Sequence, residues 1–471
     1  MGIRFSVTTD SLGDSFQNFD GIGLKRPADL PFPTSQSRKK LVQLLLANHH
    51  NYNVLCSEDR SSQNILSHVL VSLYYLGASP DQLYSSYEML VENLIEWEED
   101  SPQEVTLEDW HDFIGKKEYS RGFFDFYKEK IQDDDSGNDW KKTAHYFLTE
   151  VFDKGKGSEE ICLLSGIFGG SINALIHLGY AAEIDSWELA SEALTLASTE
   201  YCTYGIDKIL HKQTFLDMTV AEVFYNPLEL LTHVQKDNRF NSIVSIPTID
   251  IGIQTTVDTY QDIIIDYTKS LNITADNIDT VLQELLHMTV LVSFKSYIDY
   301  DTKKNHANHI SLLVQLLPAL HAIIEIGTLV TNIHNHTKNR NKIQRFIEKN
   351  QVVVSESCFL TLVKNYWVFF IAVYITVGRP SIGNLPIEVT LSEMKDKQTG
   401  FPNEDEIWGE IIALLLEAKH PEKDEKKYDG TVFIMVRSLL FASRYLCGFK
   451  LSYFYAKLAW IMATGKTENI P

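Results

Sequence analysis

The stretch Ile310–Val330, ISLLVQLLPALHAIIEIGTLV, decides the fold class. Its length and apolar content suit a membrane span, but Gln315, Pro318, His321 and Glu325 are costly in hydrocarbon. A second run, Tyr366–Val377, is apolar throughout yet only about twelve residues long, short of the roughly 20 that a span requires. Both read as helices buried on all sides in a large core, and no membrane span is expected. Helix-start signals recur on either side of them. Ser79-Pro80-Asp81-Gln82 is a capping box with proline at the first helical position. Thr219 with Glu222 and Asp185 with Glu188 open two more helices. Apolar residues after such caps keep the helical period, as in Leu189, Ala193, Leu196 and Ala197, or Leu282, Leu285, Leu286 and Val290.

Strand signals are few. Ser242–Thr256, rich in Ile, Val and Thr around Pro247, reads as loop or a short irregular segment. Polar or proline-bearing breaks fall at Glu98–Glu104, Gln132–Asp139, Asp153–Glu159, Gly378–Glu406 and Lys419–Lys427. None has the length of a flexible interdomain linker, and no repeat of 30 to 50 residues runs through the chain. The expectation is an all-α protein, a single large multi-helix domain with buried central helices, with residues 1–30 as an N-terminal arm and 31–471 as the helical domain.

At 44% apolar and 22% charged residues, the 471-residue chain has the make-up of a globular protein. Its 42 basic and 63 acidic residues leave a net charge of −21, which speaks against nucleic acid or an anionic membrane as a partner. The five cysteines, Cys56, Cys162, Cys202, Cys358 and Cys447, stand far apart without a C-x-x-C pair. Neither a disulfide framework nor a thiolate zinc site is suggested, and a reduced, cytoplasmic setting is expected. The N-terminus lacks the apolar core of a secretory signal, although Met1-Gly2 with Ser6 matches the loose myristoylation pattern.

Common site signatures are missing. There is no phosphate loop, no G-x-G-x-x-G, no nucleophile elbow and no H-E-x-x-H, so no flavin or nicotinamide motif is present. Gly166, Gly169 and Gly170 have the glycines of such a loop but not their spacing. Histidine placement is more informative. His68, His177 and His309 lie inside strongly apolar segments, and Asn64, Asn173 and Asn305 each stand four residues earlier; a fourth such pair is Asn332/His336. An i, i+4 pair shares a helix face, so each asparagine is placed to bond its histidine's ring or a common ligand. Three neutral imidazoles with open positions would suit iron or zinc. The plainer reading is three core histidines, each bonded to a backbone carbonyl. A rival constellation is Glu284-x-x-His287 with Glu417-x-x-His420, the paired motif of di-iron bundles, but Pro421 puts His420 at an exposed helix end. His49, His50, His334 and His336 have polar neighbours and read as surface residues.

The segment Asn173-Ala174-Leu175-Ile176-His177-Leu178-Gly179-Tyr180, with Glu183 and Glu192-Ala193-Leu194 after it, resembles the questin oxidase-like family, whose pattern is H-P-L-I-H-L-G-Y-G-x-E-F followed by E-A-L-A. Three further blocks match in order: Asn64 with His68-Val69-Leu70 and Gly77-Ala78, His309 to Leu316-Leu317-Pro318-Ala319-Leu320, and Val436-Arg437-Ser438-Leu439. The resemblance implies a helical oxidoreductase that oxidises polycyclic aromatic polyketides such as anthraquinones. Fungal members are described as Baeyer–Villiger-type oxidases with NADPH as the suggested reductant. Other members are understood to be histidine-ligated non-haem iron monooxygenases or related oxygenases. Carried onto this chain, the second picture makes His68, His177 and His309 candidate Fe(II) ligands, with dioxygen as co-substrate. It makes Asn64, Asn173, Tyr180, Asn305 and Arg437 candidate contacts for an aromatic substrate. The chain's 7 Trp, 22 Tyr and 24 Phe would supply stacking walls, or simply the ordinary content of a large core.

The pattern also departs from the family. Asn53, Ile65, Val69 and Asn173 stand where the family has histidine, and Thr431 and Ile434 where it has a histidine and a lysine. A ligand set thinned in this way implies weak metal binding, a different metal or a silent site. Two functions therefore stand: a divergent questin oxidase-like oxidoreductase, or a catalytically silent helical protein that binds a small molecule or a protein partner on the same fold.

Overall fold

A computed structural model describes residues 34–57, 59–98, 100–133, 139–153, 160–209, 226–241, 248–303, 307–336, 355–381, 404–417, 430–446 and 449–464. The expected N-terminal arm, the Met1-Gly2 pattern, Thr219 with Glu222, Asn305, His420 and Cys447 lie outside the described residues. So do the side chains of His309, His334 and His336.

The all-α expectation holds. The helices are α1 (Ser35–Asn51), α2 (Leu66–Tyr75), α3 (Pro80–Val91), α4 (Ser120–Gln132), α5 (Trp140–Thr149), α6 (Leu163–Gly166), α7 (Asn173–Ile184) and α8 (Trp187–Thr199). They continue as α9 (Pro227–Lys236), α10 (Ile249–Lys269), α11 (Ile278–Lys303), α12 (Ala307–His336), α13 (Glu356–Thr376), α14 (Glu404–Glu417), α15 (Thr431–Tyr445) and α16 (Phe449–Thr464). Among the described residues the sheet content is one antiparallel pair of two-residue strands, Phe152–Asp153 against Glu160–Ile161.

Local chemistry sets the helix ends. Ser79 Oγ accepts from Gln82 N at 3.2 Å, Gln82 Oε1 accepts from Ser79 N at 2.9 Å, and Pro80 opens α3, which is the capping box read from the sequence. The cap of α8 is Ser186, which accepts from Leu189 N at 3.3 Å, and not Asp185. Asp185 instead closes α7 in a left-handed conformation (φ 53), and its carboxylate accepts from Trp140 Nε1 at 3.0 Å and pairs with Lys141 at 2.9 Å. The loop expected over Ser242–Thr256 is overturned from Thr248 onward, where Thr248 caps α10. Ile253, Val257, Tyr260 and Ile264 are buried along one face of that helix, so packing overrides the strand preference of its β-branched residues.

The core centres on α7, α8, α12 and α13. α7 packs along both α8 and α12, α12 also packs along α11, and α13 lies against α10 and α12. The segment Ser357–Thr376 of α13 is long and apolar enough to cross a membrane, but 78% of its most apolar window is buried against protein. Around Pro318, inside α12, the helix loses a backbone donor. Two carbonyls of the preceding turn accept from neighbouring helices, Leu313 O from Ser293 Oγ at 2.7 Å and Leu316 O from Tyr366 Oη at 3.1 Å.

The approach of α7 to α12 depends on Gly179, where a β-carbon would collide with Ala322 Cβ. Gly179→Ala is expected to lower stability by about 1–3 kcal/mol through this overpacking. The check is the denaturant midpoint at unchanged m-value. A variant as stable as the wild type would mean that the two helices part without strain.

Candidate functional site

α7 starts abruptly. Gly170, Ser171 and Ile172 all have left-handed backbones (φ 56, 57 and 64), a costly conformation for a β-branched isoleucine. A β-carbon at Gly169 would strike the Glu200 carbonyl, so the chain passes hard against the end of α8 before turning. The turn is held by side chains. Asn173 Nδ2 donates to Gln63 Oε1 (3.1 Å) and Gly170 O (3.4 Å), Gln63 Nε2 donates to Glu200 (3.0 Å), and Lys117 pairs with Glu200 (2.8 Å).

From this start, Asn173, His177, Tyr180 and Glu183 follow at spacings of four, three and three, and so share one buried face of α7. His177 Nδ1 lies 3.0 Å from His68 Nε2 of α2. On its other side, His177 Nε2 is 2.8 Å from Glu192 Oε2 of α8, an ion-pair distance although the ring N–H is not aligned for a full hydrogen bond. The second oxygen of Glu192 accepts from His49 Nδ1 at 2.8 Å. The result is a buried row, His49–Glu192–His177–His68, carried by four helices. Burial alone would push the Glu192 carboxyl up, but His177 and His49, close against its two oxygens, outweigh it and hold it at about 2. Burial, helped by the charge of His177, holds His68 well below the ordinary imidazole value, so His68 is neutral.

Tyr180 stacks on His68 with ring centroids 5.1 Å apart, and its hydroxyl lies 2.8 Å from Ser72 Oγ, one turn beyond His68 on α2. Next along the face, Glu183 pairs with Arg437 of α15. The guanidinium sits over Tyr75 at 4.1 Å and near Tyr180 at 5.7 Å.

The structure thus brings His68, His177, Tyr180 and Arg437 into one continuous buried region. Among the described residues, the expected bonds from Asn64 to His68 and from Asn173 to His177 are not formed. Asn64 precedes α2 and donates to Asn48 Oδ1 (2.9 Å) and Asn53 O (3.2 Å), while its own oxygen accepts from Leu66 N. Asn173 is taken by Gln63. His49 was expected at the surface and is fully buried, whereas its neighbour His50 is exposed. The missed signal is spacing: Leu41, Leu45 and His49 recur every four residues on the apolar face of α1. In the rival pair, His287 Nδ1 lies 2.7 Å from Tyr455 Oη, which gives that histidine a structural partner.

The donor set can be tested against a metal. Two ligands about 2.1 Å from one ion and at right angles to it stand about 3.0 Å apart, which is the separation of His68 Nε2 and His177 Nδ1. A carboxylate behind the second imidazole is the usual support of a metal-binding histidine, and Glu192 is in that place. These two residues fit an ion. Val69 does not: fully buried, its methyl groups crowd Gly430 at the start of α15, so hydrocarbon fills that side.

The family model described as Questin oxidase-like matches residues 62–428. A Baeyer-Villiger monooxygenase, dmxR6, of Cryptosporiopsis sp. (strain 8999) is 26% identical over 195 residues, covering 38% of this chain and 38% of its own. Oxidoreductase AflY of Aspergillus parasiticus is 26% identical over 163 residues, 34% of this chain and 31% of its own. The chain therefore spans well under half the length of these curated relatives. The family match is far broader, and by its extent the chain belongs to the Questin oxidase-like family.

Proposed function

We propose that this protein is a divergent oxidoreductase that oxidises a small aromatic substrate, of the polycyclic polyketide kind, with dioxygen as the oxidant. The observation that carries the reading is the convergence of His68 and His177 with Glu192 behind them. His68 and His177 would hold Fe(II), and His309 of α12 is proposed as the third ligand. The iron, when bound, supplies the dioxygen chemistry. The chain's own residues do the rest. Glu192 fixes the orientation of His177, and the neutral state of His68 keeps a nitrogen lone pair available. Tyr180, stacked on His68, offers an aromatic wall for a planar substrate. The relatives named as a Baeyer-Villiger monooxygenase and an oxidoreductase support the reaction class.

The test is metal content and dioxygen uptake of protein produced without oxygen and supplied with Fe(II). Bound iron is expected, and His177→Ala is expected to lose one ion per chain and the uptake while keeping its helical content. A folded wild type whose iron is unchanged by His177→Ala, or which binds none, would overturn the reading.

A further inference from the structure

A second buried cluster lies further along α7, away from the histidine row. Glu183 of α7 and His321 and Glu325 of α12 each offer one ligand atom, and the three atoms lie within 4.8 Å of one another. Six residues of α7 separate Glu183 from His177, a rise of about 9 Å, so the two clusters do not share an ion. His321 is buried. Its Nδ1 lies 3.3 Å from Ser438 Oγ, and its ring stacks on Phe441 at 3.8 Å, so its orientation is fixed from α15. Its Nε2 has no hydrogen-bond partner among the described residues, and Glu325 Oε1 is 3.6 Å away, too far for one. Arg437 of α15 pairs with one oxygen of Glu183.

A buried imidazole nitrogen aimed at two carboxylates calls for a cation between them. We infer that Glu183, His321 and Glu325 form a second site, for a first-row divalent cation of the Mn(II), Fe(II) or Zn(II) class. One imidazole with two carboxylates is the donor set such ions take; the absence of sulfur disfavours Cu(I), and the imidazole disfavours Ca(II). Three atoms bound at about 2.1 Å to one ion stand roughly 3.0–3.6 Å apart, so the groups would draw together by about 1 Å as the ion binds. The position of Glu183 relative to α12 follows from the close helix contact at Gly179, and Arg437 holds the carboxylate from behind. The site is separate from the proposed iron site and does not depend on it.

The experiment is metal analysis of the full chain produced with Mn(II) alone or with Zn(II) alone. The isosteric Glu325→Gln and the variant His321→Gln are each expected to lose one ion per chain, while His177→Ala keeps that ion. Metal content unchanged in both Glu325→Gln and His321→Gln overturns the site, as does a wild type that binds neither metal. Anomalous diffraction from wild-type crystals grown with Mn(II) reads the same question without a variant. A peak between Glu183, His321 and Glu325 supports the site. A peak only between His68 and His177, or none, overturns it.

Discussion

Arg437→Met is expected to cost the metal-free protein about 3–5 kcal/mol, the range for removing one partner of a buried ion pair. Arg437 is buried, and burial lowers its pKa, yet Glu183 and the faces of Tyr75 and Tyr180 surround the guanidinium. Methionine can fill much of the same volume but leaves the Glu183 carboxyl buried without its cation. The loss is therefore set by the stranded carboxylate more than by the missing contacts. It follows that Glu183→Leu on top of Arg437→Met should recover most of the stability, since neither partner of the ion pair is then left buried alone. The measurement is a double-mutant cycle of denaturant midpoints. A single variant within about 1 kcal/mol of the wild type would show that Glu183 is not stranded as a charge when Arg437 is removed.

Much of the fold was legible because it depends on local signals. The capping box at Ser79 and the polar residues in Ile310–Val330 specified a helix start and a buried helix from adjacent residues alone. The errors have physical causes. Asp185 and Ser186 are both good caps, and the choice fell to Ser186 because Trp140 and Lys141 bind Asp185 from α5. Ser242–Thr256 looked non-helical by propensity, but the face Ile253–Val257–Tyr260–Ile264 is decided by burial. The site was legible only in part. Apolar flanks marked His68 and His177, but not Glu192, whose role comes from placing one carboxylate between helices α1 and α7. His49 was hidden by its exposed neighbour His50, and His321 with Glu325 read only as obstacles to a membrane span. Contacts between helices far apart in sequence, such as Glu183 with Arg437, have no local signature.

Stability of the metal-free protein should fall in two stages as pH drops, and the row of buried histidines sets both. His68 is held well below the ordinary value near 6.5, so the unfolded chain takes up a proton there that the folded chain refuses. A group depressed in the folded state contributes stability that is complete above the unfolded pKa and is lost as pH falls below it, so the first stage begins near pH 6.5. His287, lowered by burial, adds to this stage with the same sign. Glu192 acts lower down. Its folded value is about 2 against an ordinary 4.5, so its contribution, roughly 3 kcal/mol, is present above pH 4.5 and disappears as pH falls toward 2. Denaturant titrations from pH 8 to pH 2 would resolve the stages. His68→Gln should flatten part of the upper stage and leave the lower one, while Glu192→Gln should remove the lower stage and leave the upper one. An upper stage that is identical in His68→Gln and the wild type would mean that His68 takes its proton inside the folded core, and the neutral imidazole required for the iron site would be lost with it.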